Sequence, residues 1–91
     1  MVFRFQGGRA AKLTRLDLSH NALTSLRRVG LAGLTSLASL DLSYNRLASV
    51  PAGSLNLPRL TSLNLASNNI ELLESESLGQ LAGLQELKLS R

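Results

Sequence analysis

The chain has 91 residues, enough for a single domain, and 23 of them are leucine. It contains no cysteine, so these residues cannot form a disulfide bond, a thiolate nucleophile or a cysteine-ligated metal site. The net charge is +4, with the excess of basic residues before Leu47 and the glutamates after Ile70. No segment approaches the roughly 20 apolar residues that span a bilayer, so we expect no membrane insertion by this segment.

Residues 1–12 come first, and we interpret them as an N-terminal flank or a partial repeat. Arg4 and Gln6 interrupt the few apolar residues at the start, so this stretch lacks the apolar run of a signal peptide. The repeating part of the chain therefore begins at Leu13.

Three segments coincide when the chain is aligned with itself: LTRLDLSHNAL from Leu13, LASLDLSYNRL from Leu37 and LTSLNLASNNI from Leu60. A fourth segment, LQELKLS, begins at Leu84 and is cut off at Arg91. The four starts are 24, 23 and 24 residues apart. We therefore predict repeats over residues 13–36, 37–59 and 60–83 and a partial repeat over 84–91, each reading L-x-x-L-x-L-x-x-N-x-L where complete.

This pattern resembles the leucine-rich repeat family over about residues 13–91. The resemblance implies an α/β solenoid. Its repeats would form a right-handed curved stack, with one short parallel β-strand per repeat on the concave face and irregular or short helical turns on the convex face. Val50-Pro51 resembles the Leu-Pro of the typical 24-residue repeats, whereas Leu31, Leu55 and Leu78 stand where those repeats have phenylalanine.

The residues between the strand leucines are the candidate ligand-binding residues. Leu16 and Leu18 are two positions apart, so both point inward from a strand while Arg15 and Asp17 point outward. The same alternation in every repeat, extended to the two positions after the strand, gives a candidate binding set for the concave face: Arg15, Asp17, Ser19, His20, Ser39, Asp41, Ser43, Tyr44, Ser62, Asn64, Glu86 and Lys88.

The asparagines that close the strands, Asn21, Asn45 and Asn68, are predicted to form a structural ladder. An asparagine side chain has one acceptor and two donors, so it can pair with backbone groups that the turn leaves unmatched. We do not interpret these residues as ligand-binding.

Asp17 and Asp41 occupy matching positions in neighbouring repeats. Like charges opposite each other on adjacent strands are mildly unfavourable, so a lysine or arginine of a ligand, or a calcium ion, would be a favourable partner. The alternative is two solvated carboxylates with no partner. Tyr44 is a candidate anchor for a protein ligand, and the alternative is that it only covers the neighbouring turn.

The sequence favours binding over catalysis. One histidine, no Gly-rich phosphate loop and no metal-ligand spacing leave no catalytic residues, cofactor or metal to assign. Despite a sequence pI near 10.8, the basic residues do not share one strand face and aromatic residues are scarce, so no nucleic-acid partner is expected. The resemblance implies a protein-protein interaction module of a longer receptor or adaptor. The alternative is a purely structural repeat segment without independent binding activity.

The residues at the two ends of the repeat stack lack the polar or cysteine-rich caps that such stacks need for solubility, so self-association through uncapped ends is a further expectation. The segment from Leu57 to Leu63 resembles ectodomains of animal cell-surface repeat proteins. That resemblance favours an extracellular or cell-surface parent, with a cytoplasmic parent as the alternative.

Overall fold

A computed structural model describes residues 3–4, 10–26, 29–31, 34–50, 55–73, 78 and 81–90. Its elements are short, and most are strands. In chain order they are β1 (Phe3–Arg4), a 3-10 helix (Ala10–Lys12), β2 (Arg15–Asp17), β3 (Val29–Gly30), β4 (Ser39–Asp41), β5 (Ser49–Val50), β6 (Ser62–Asn64), β7 (Leu72–Leu73) and β8 (Glu86–Lys88). No helix in the described ranges is long and apolar enough to cross a membrane.

The main sheet has four parallel strands in the order β2-β4-β6-β8, one from each predicted repeat. Its register aligns Leu16, Leu40, Leu63 and Leu87 in a single row. Leu40 and Leu63 are buried, whereas Leu16 and Leu87 at the two edges are half-buried. The predicted repeat stack is therefore confirmed.

The core is built almost entirely from the leucines of the repeat pattern. Its buried members are Leu18, Leu23, Leu26, Leu31, Leu34, Leu37, Leu40, Leu42, Leu47, Val50, Leu55, Leu57, Leu60, Leu63, Leu65 and Leu81. A tight turn precedes three of the strands. The amide of Leu37 donates to the Leu34 carbonyl at 3.2 Å. The equivalent bonds run from the Leu60 amide to the Leu57 carbonyl at 3.1 Å and from the Leu84 amide to the Leu81 carbonyl at 3.0 Å. Each turn brings two leucines to the core before the next strand begins. Five of these six leucines are buried, and Leu84 is half-buried.

The sequence predicts irregular or short helical turns on the return side of the stack. Most described residues there are irregular, and Leu26 has 3-10 helical geometry. The return side also contains short parallel strand pairs that were not predicted, in which β5 pairs with β7 and β1 pairs with β3. Val50 precedes Pro51, and a residue before proline is disfavoured in the helical region and favoured in an extended one. Extended segments of consecutive coils lie at strand spacing, so they pair with each other.

Candidate ligand-binding face

The outward side chains of the four-stranded sheet, together with the two residues that follow each strand, form what we call the strand face. The strand register assembles its predicted residues into two columns: Arg15, Ser39, Ser62 and Glu86, and then Asp17, Asp41, Asn64 and Lys88. The charged residues of the edge strands β2 and β8 are exposed, whereas the central four residues are half-buried. Within the first column, the Ser62 hydroxyl donates to Glu86 Oε1 at 3.4 Å.

Three residues of the second column, at the ends of β2, β4 and β6, form a similar side-chain turn. Asp17 Oδ1 accepts hydrogen bonds from the amide and the hydroxyl of Ser19 at 2.9 and 2.5 Å. Asp41 Oδ1 accepts the same pair from Ser43 at 2.9 and 2.6 Å. In the third repeat, Asn64 Oδ1 accepts one bond, from the Ala66 amide at 3.0 Å. An aspartate or asparagine oxygen at this position therefore holds the backbone as it leaves the strand.

The Asp17 turn also affects its ionisation. The pKa of Asp17 is lowered, mainly by the hydrogen bond from the Ser19 hydroxyl and then by the bond from the Ser19 amide. A favourable electrostatic interaction with His20 adds to this lowering, and desolvation opposes it. Because hydrogen bonds to a carboxylate favour its charged form, Asp17 presents a negative charge on the strand face.

Ser43 lies elsewhere than expected. It was predicted as an outward ligand-binding residue, but it is only 4% exposed and its hydroxyl is bonded to Asp41. The prediction extended the strand alternation past its end: β4 stops at Asp41, and the turn that follows no longer obeys a period of two. Ser19, at the same position of the first repeat, is half-buried.

The residue that follows Ser19, Ser43 or Ala66 has a left-handed backbone. His20, Tyr44 and Ser67 have φ values of 58°, 55° and 57°, which is uncommon for residues other than glycine. Their amides donate to carbonyls of the next repeat: His20 to Ser43 at 3.1 Å, Tyr44 to Ala66 at 3.0 Å and Ser67 to Ser90 at 2.7 Å. The ladder of backbone bonds therefore fixes the direction in which these three side chains leave the turn.

His20 and Tyr44 consequently stack on each other. Their ring centroids are 4.4 Å apart and their planes differ by 9°. Tyr44 is 56% exposed, and His20 is exposed beside it. Sequence reasoning named both residues but missed the stack. The available signal was their spacing of 24 residues, which places them at the same point of adjacent coils, about 4.8 Å apart in a parallel sheet.

The asparagine side chains lie on the inner side of the same turns. Asn45 Oδ1 accepts the amides of Asn21 and Leu23, each at 3.0 Å, and its Nδ2 donates to the carbonyls of Leu18 at 3.1 Å and Leu42 at 2.9 Å. Asn68 bridges the next pair of repeats in the same way, accepting from the Leu47 amide at 3.0 Å and donating to Leu42 and Leu65. Asn21 donates to carbonyls within its own repeat, at Leu18 and Ser19.

The strand face is an open surface. In the part of the chain that the structure describes, it forms no pocket, and no three histidine or acidic side chains gather as possible metal ligands. It offers carboxylates on two adjacent strands, hydroxyls in the middle and a stacked ring pair at its border. Such groups suit contact with a surface or an extended segment of another macromolecule.

Comparison with known proteins places these features in a family. The leucine rich repeat model matches residues 5–47 and 35–91. The chain is 41% identical to trophoblast glycoprotein of Mus musculus over 78 aligned residues. The alignment covers 85% of the chain and 18% of that protein. It is 43% identical over 77 residues to platelet glycoprotein Ib alpha chain of Mus musculus (85% of the chain, 10% of that protein). It is 41% identical over 80 residues to lumican of Rattus norvegicus (86% of the chain, 23% of that protein).

The chain thus spans less than a quarter of the length of each of these relatives, with shares of 18%, 10% and 23%. They are extracellular or cell-surface leucine-rich repeat proteins of animals. Together with the parallel strands recurring once per repeat, the matched residues show that the chain belongs to the leucine-rich repeat family.

Proposed function

We propose that this chain is a protein-interaction module that binds a protein ligand across its strand face. The activity is binding without catalysis, and the parent protein is extracellular or on the cell surface. The observation that carries the proposal is the exposed ring stack of His20 and Tyr44, which follows the two adjacent strands that carry Asp17 and Asp41. Exposed tyrosines are frequent anchors of protein interfaces, and the extracellular relatives support the proposed location.

The test begins with a binding screen against purified secreted and cell-surface ectodomains, each of known identity. The dissociation constant of each binder is then measured in solution, with a sample of the chain that is monomeric by sedimentation. Self-association through the sheet edges then does not contribute. We expect at least one ectodomain with a dissociation constant at or below the micromolar range. Failure of every ectodomain to bind would favour the purely structural alternative.

The location of the interface is tested with Ser62→Arg, which puts a long side chain in the middle of the strand face. The sheet accepts this residue at that register position, because Arg15 occupies it in β2, and Glu86 lies opposite it on β8. We expect Ser62→Arg to weaken binding at least about tenfold, the effect of losing roughly 1.4 kcal/mol. The control is Asn56→Arg, an exposed position of the return segment, for which we expect less than about a twofold change. The reverse pattern would move the interface off the strand face.

A further inference from the structure

We propose that the ligand segment docking on the first two repeats presents an arginine, whose guanidinium lies on the free face of the Tyr44 ring and pairs with Asp41. This inference rests on the proposed function and specifies the chemistry of the partner. We call Asp17, His20, Asp41 and Tyr44 together the arginine platform. Its partner is defined by charge and shape: a flat cation opposite a ring and a carboxylate.

The third repeat shows that the fold does not need these side chains. Asn64 holds the same strand-end turn as Asp41, through a bond of 3.0 Å to the Ala66 amide. Ser67 adopts the same left-handed backbone as Tyr44, with φ values of 57° and 55°. A neutral amide and a small hydroxyl therefore satisfy the backbone. The carboxylates and rings of the first two repeats are additions to the surface that folding does not require.

One face of the Tyr44 ring is available to a ligand. His20 covers the face towards the first repeat at a centroid distance of 4.4 Å. On the opposite side, the corresponding position of the third repeat carries only the short, half-buried side chain of Ser67. The described residues include no cation over the ring, and Tyr44 remains 56% exposed. A third flat group would therefore continue the stack from His20 through Tyr44.

Among the described residues, the second repeat also offers a carboxylate oxygen that accepts no hydrogen bond. Asp41 uses Oδ1 for both bonds from Ser43, and within the described ranges its Oδ2 accepts none. Neither Asp41 nor Asp17 forms an ion pair with a lysine or arginine of the described residues. The two carboxylates are register partners on β2 and β4, so a bound cation would also relieve their mutual repulsion.

Arginine fits this arrangement better than lysine. A guanidinium is planar and weakly hydrated, so it stacks on an aromatic face while its in-plane N–H groups donate to a carboxylate. An ammonium provides a point charge without the flat contact surface. Stacking of a cation on an exposed ring corresponds to about a two- to fivefold gain in affinity. A lysine can make part of this contact, so the platform should prefer arginine over lysine by less than about fivefold.

The experiment titrates the ¹⁵N-labelled 91-residue chain with three acetylated and amidated pentapeptides, Gly-Ser-X-Ser-Gly, in which X is arginine, lysine or citrulline. Amide shifts are followed by NMR at pH 8 and low ionic strength, because salt screens exposed charges. We expect millimolar binding of the arginine peptide, centred on the amides of Tyr44, Asn45 and Ser67. The lysine peptide should bind more weakly, by less than about fivefold, and the uncharged citrulline peptide should not saturate. Equal binding of arginine and lysine, or shifts centred elsewhere, would overturn the inference.

Variants separate the contribution of the Tyr44 ring to peptide binding from that of the Asp41 charge. Tyr44→Ser copies the third repeat and should abolish the preference for arginine over lysine. Asp41→Asn should weaken both cationic peptides. Glu71→Gln removes an exposed carboxylate that lies outside the strand face and is the matched control, expected to change affinity by less than about 1.5-fold. A Glu71→Gln effect as large as that of Asp41→Asn would reduce the platform to general electrostatic attraction and overturn it. The peptide comparison on the unaltered chain needs no variant to fold.

The two proposals fail separately. If an ectodomain loses affinity on Ser62→Arg but the peptides show no arginine preference, the strand face binds protein and the arginine platform is wrong. If the arginine preference appears but no ectodomain binds, the proposed function is wrong while the local chemistry stands.

Discussion

The turn after each strand has an inner side, whose side chains face the core, and an outer side, whose side chains belong to the strand face. The residue types on the inner side are the same in successive repeats, whereas those on the outer side vary. On the inner side, the first three repeats all have asparagine, at Asn21, Asn45 and Asn68. On the outer side, aspartate gives way to asparagine at Asn64, and the rings give way to Ser67. The backbone does not change with them, since φ at the left-handed position stays between 55° and 58°. The inner side chains are therefore required by the fold, and the outer ones are free to serve a ligand.

Burial explains the difference. Asn45 is 7% exposed and bonds to backbone groups of two repeats that water cannot reach. A buried polar group that loses its partner costs about 1–3 kcal/mol. On the outer side, Asp41 bonds only to Ser43, two residues further along. Any side chain with an oxygen at the right distance can replace it there, and the charge is not needed.

The largest expected effect on stability comes from removing the asparagine side chain on the inner side of the second repeat. Asn45→Ala removes the partners of the Asn21 and Leu23 amides, so we expect the free energy of unfolding to fall by about 2–4 kcal/mol. Asn21→Ala is the control. The Asn21 side chain donates only within its own repeat, and Asn45 still donates to the Leu18 carbonyl, so the loss should be about 1 kcal/mol. Urea unfolding followed by circular dichroism measures both, and equal losses would mean that the inner side does not couple the repeats.

A smaller effect is expected on the outer side, where the identity of the replacement matters. Asp41→Asn copies the third repeat and should change the free energy of unfolding by less than about 0.5 kcal/mol. Asp41→Ala removes the acceptor of the Ser43 amide and hydroxyl and should cost about 1 kcal/mol. The same urea experiments compare them. If asparagine destabilised the chain as much as alanine, the carboxylate would be a requirement of the fold, and the case for its role in binding would weaken.

Repeat spacing made the sheet predictable. Leucines that recur every 23 or 24 residues can bury themselves only in stacked coils, and this requirement alone places Leu40 opposite Leu63. The ends of the strands were less predictable. Alternation does not reveal where β4 stops, so Ser43 was assigned to the surface although it is buried.

The left-handed turn left no mark in the sequence, since glycine is absent from the positions of His20, Tyr44 and Ser67. These residues are held there by backbone bonds to the next repeat, an effect of the stack and not of local preference. The 24-residue spacing of His20 and Tyr44 places the two rings on adjacent coils, but the stacking of the rings also depends on this backbone conformation. The return strands were not predicted either. β5 pairs with β7 of the following repeat, and this pairing depends on the stacking of the repeats and not on the sequence of either segment alone.

The smallest expected effect is electrostatic and lies at the exposed edge strand. The pKa of Asp17 is below its ordinary value of 3.8, chiefly because the Ser19 hydroxyl donates to the carboxylate. A carboxyl whose pKa is lower in the folded state stabilises the fold above the unfolded pKa, and that contribution is lost as the pH falls through the folded value. Between pH 6 and acid conditions, the unaltered chain should therefore lose slightly more stability than Asp17→Asn, which keeps the acceptor but cannot titrate. Urea unfolding at both pH values measures the difference. It should be small, since solvent screens an exposed group, and a larger loss in Asp17→Asn would contradict the assigned hydrogen bond.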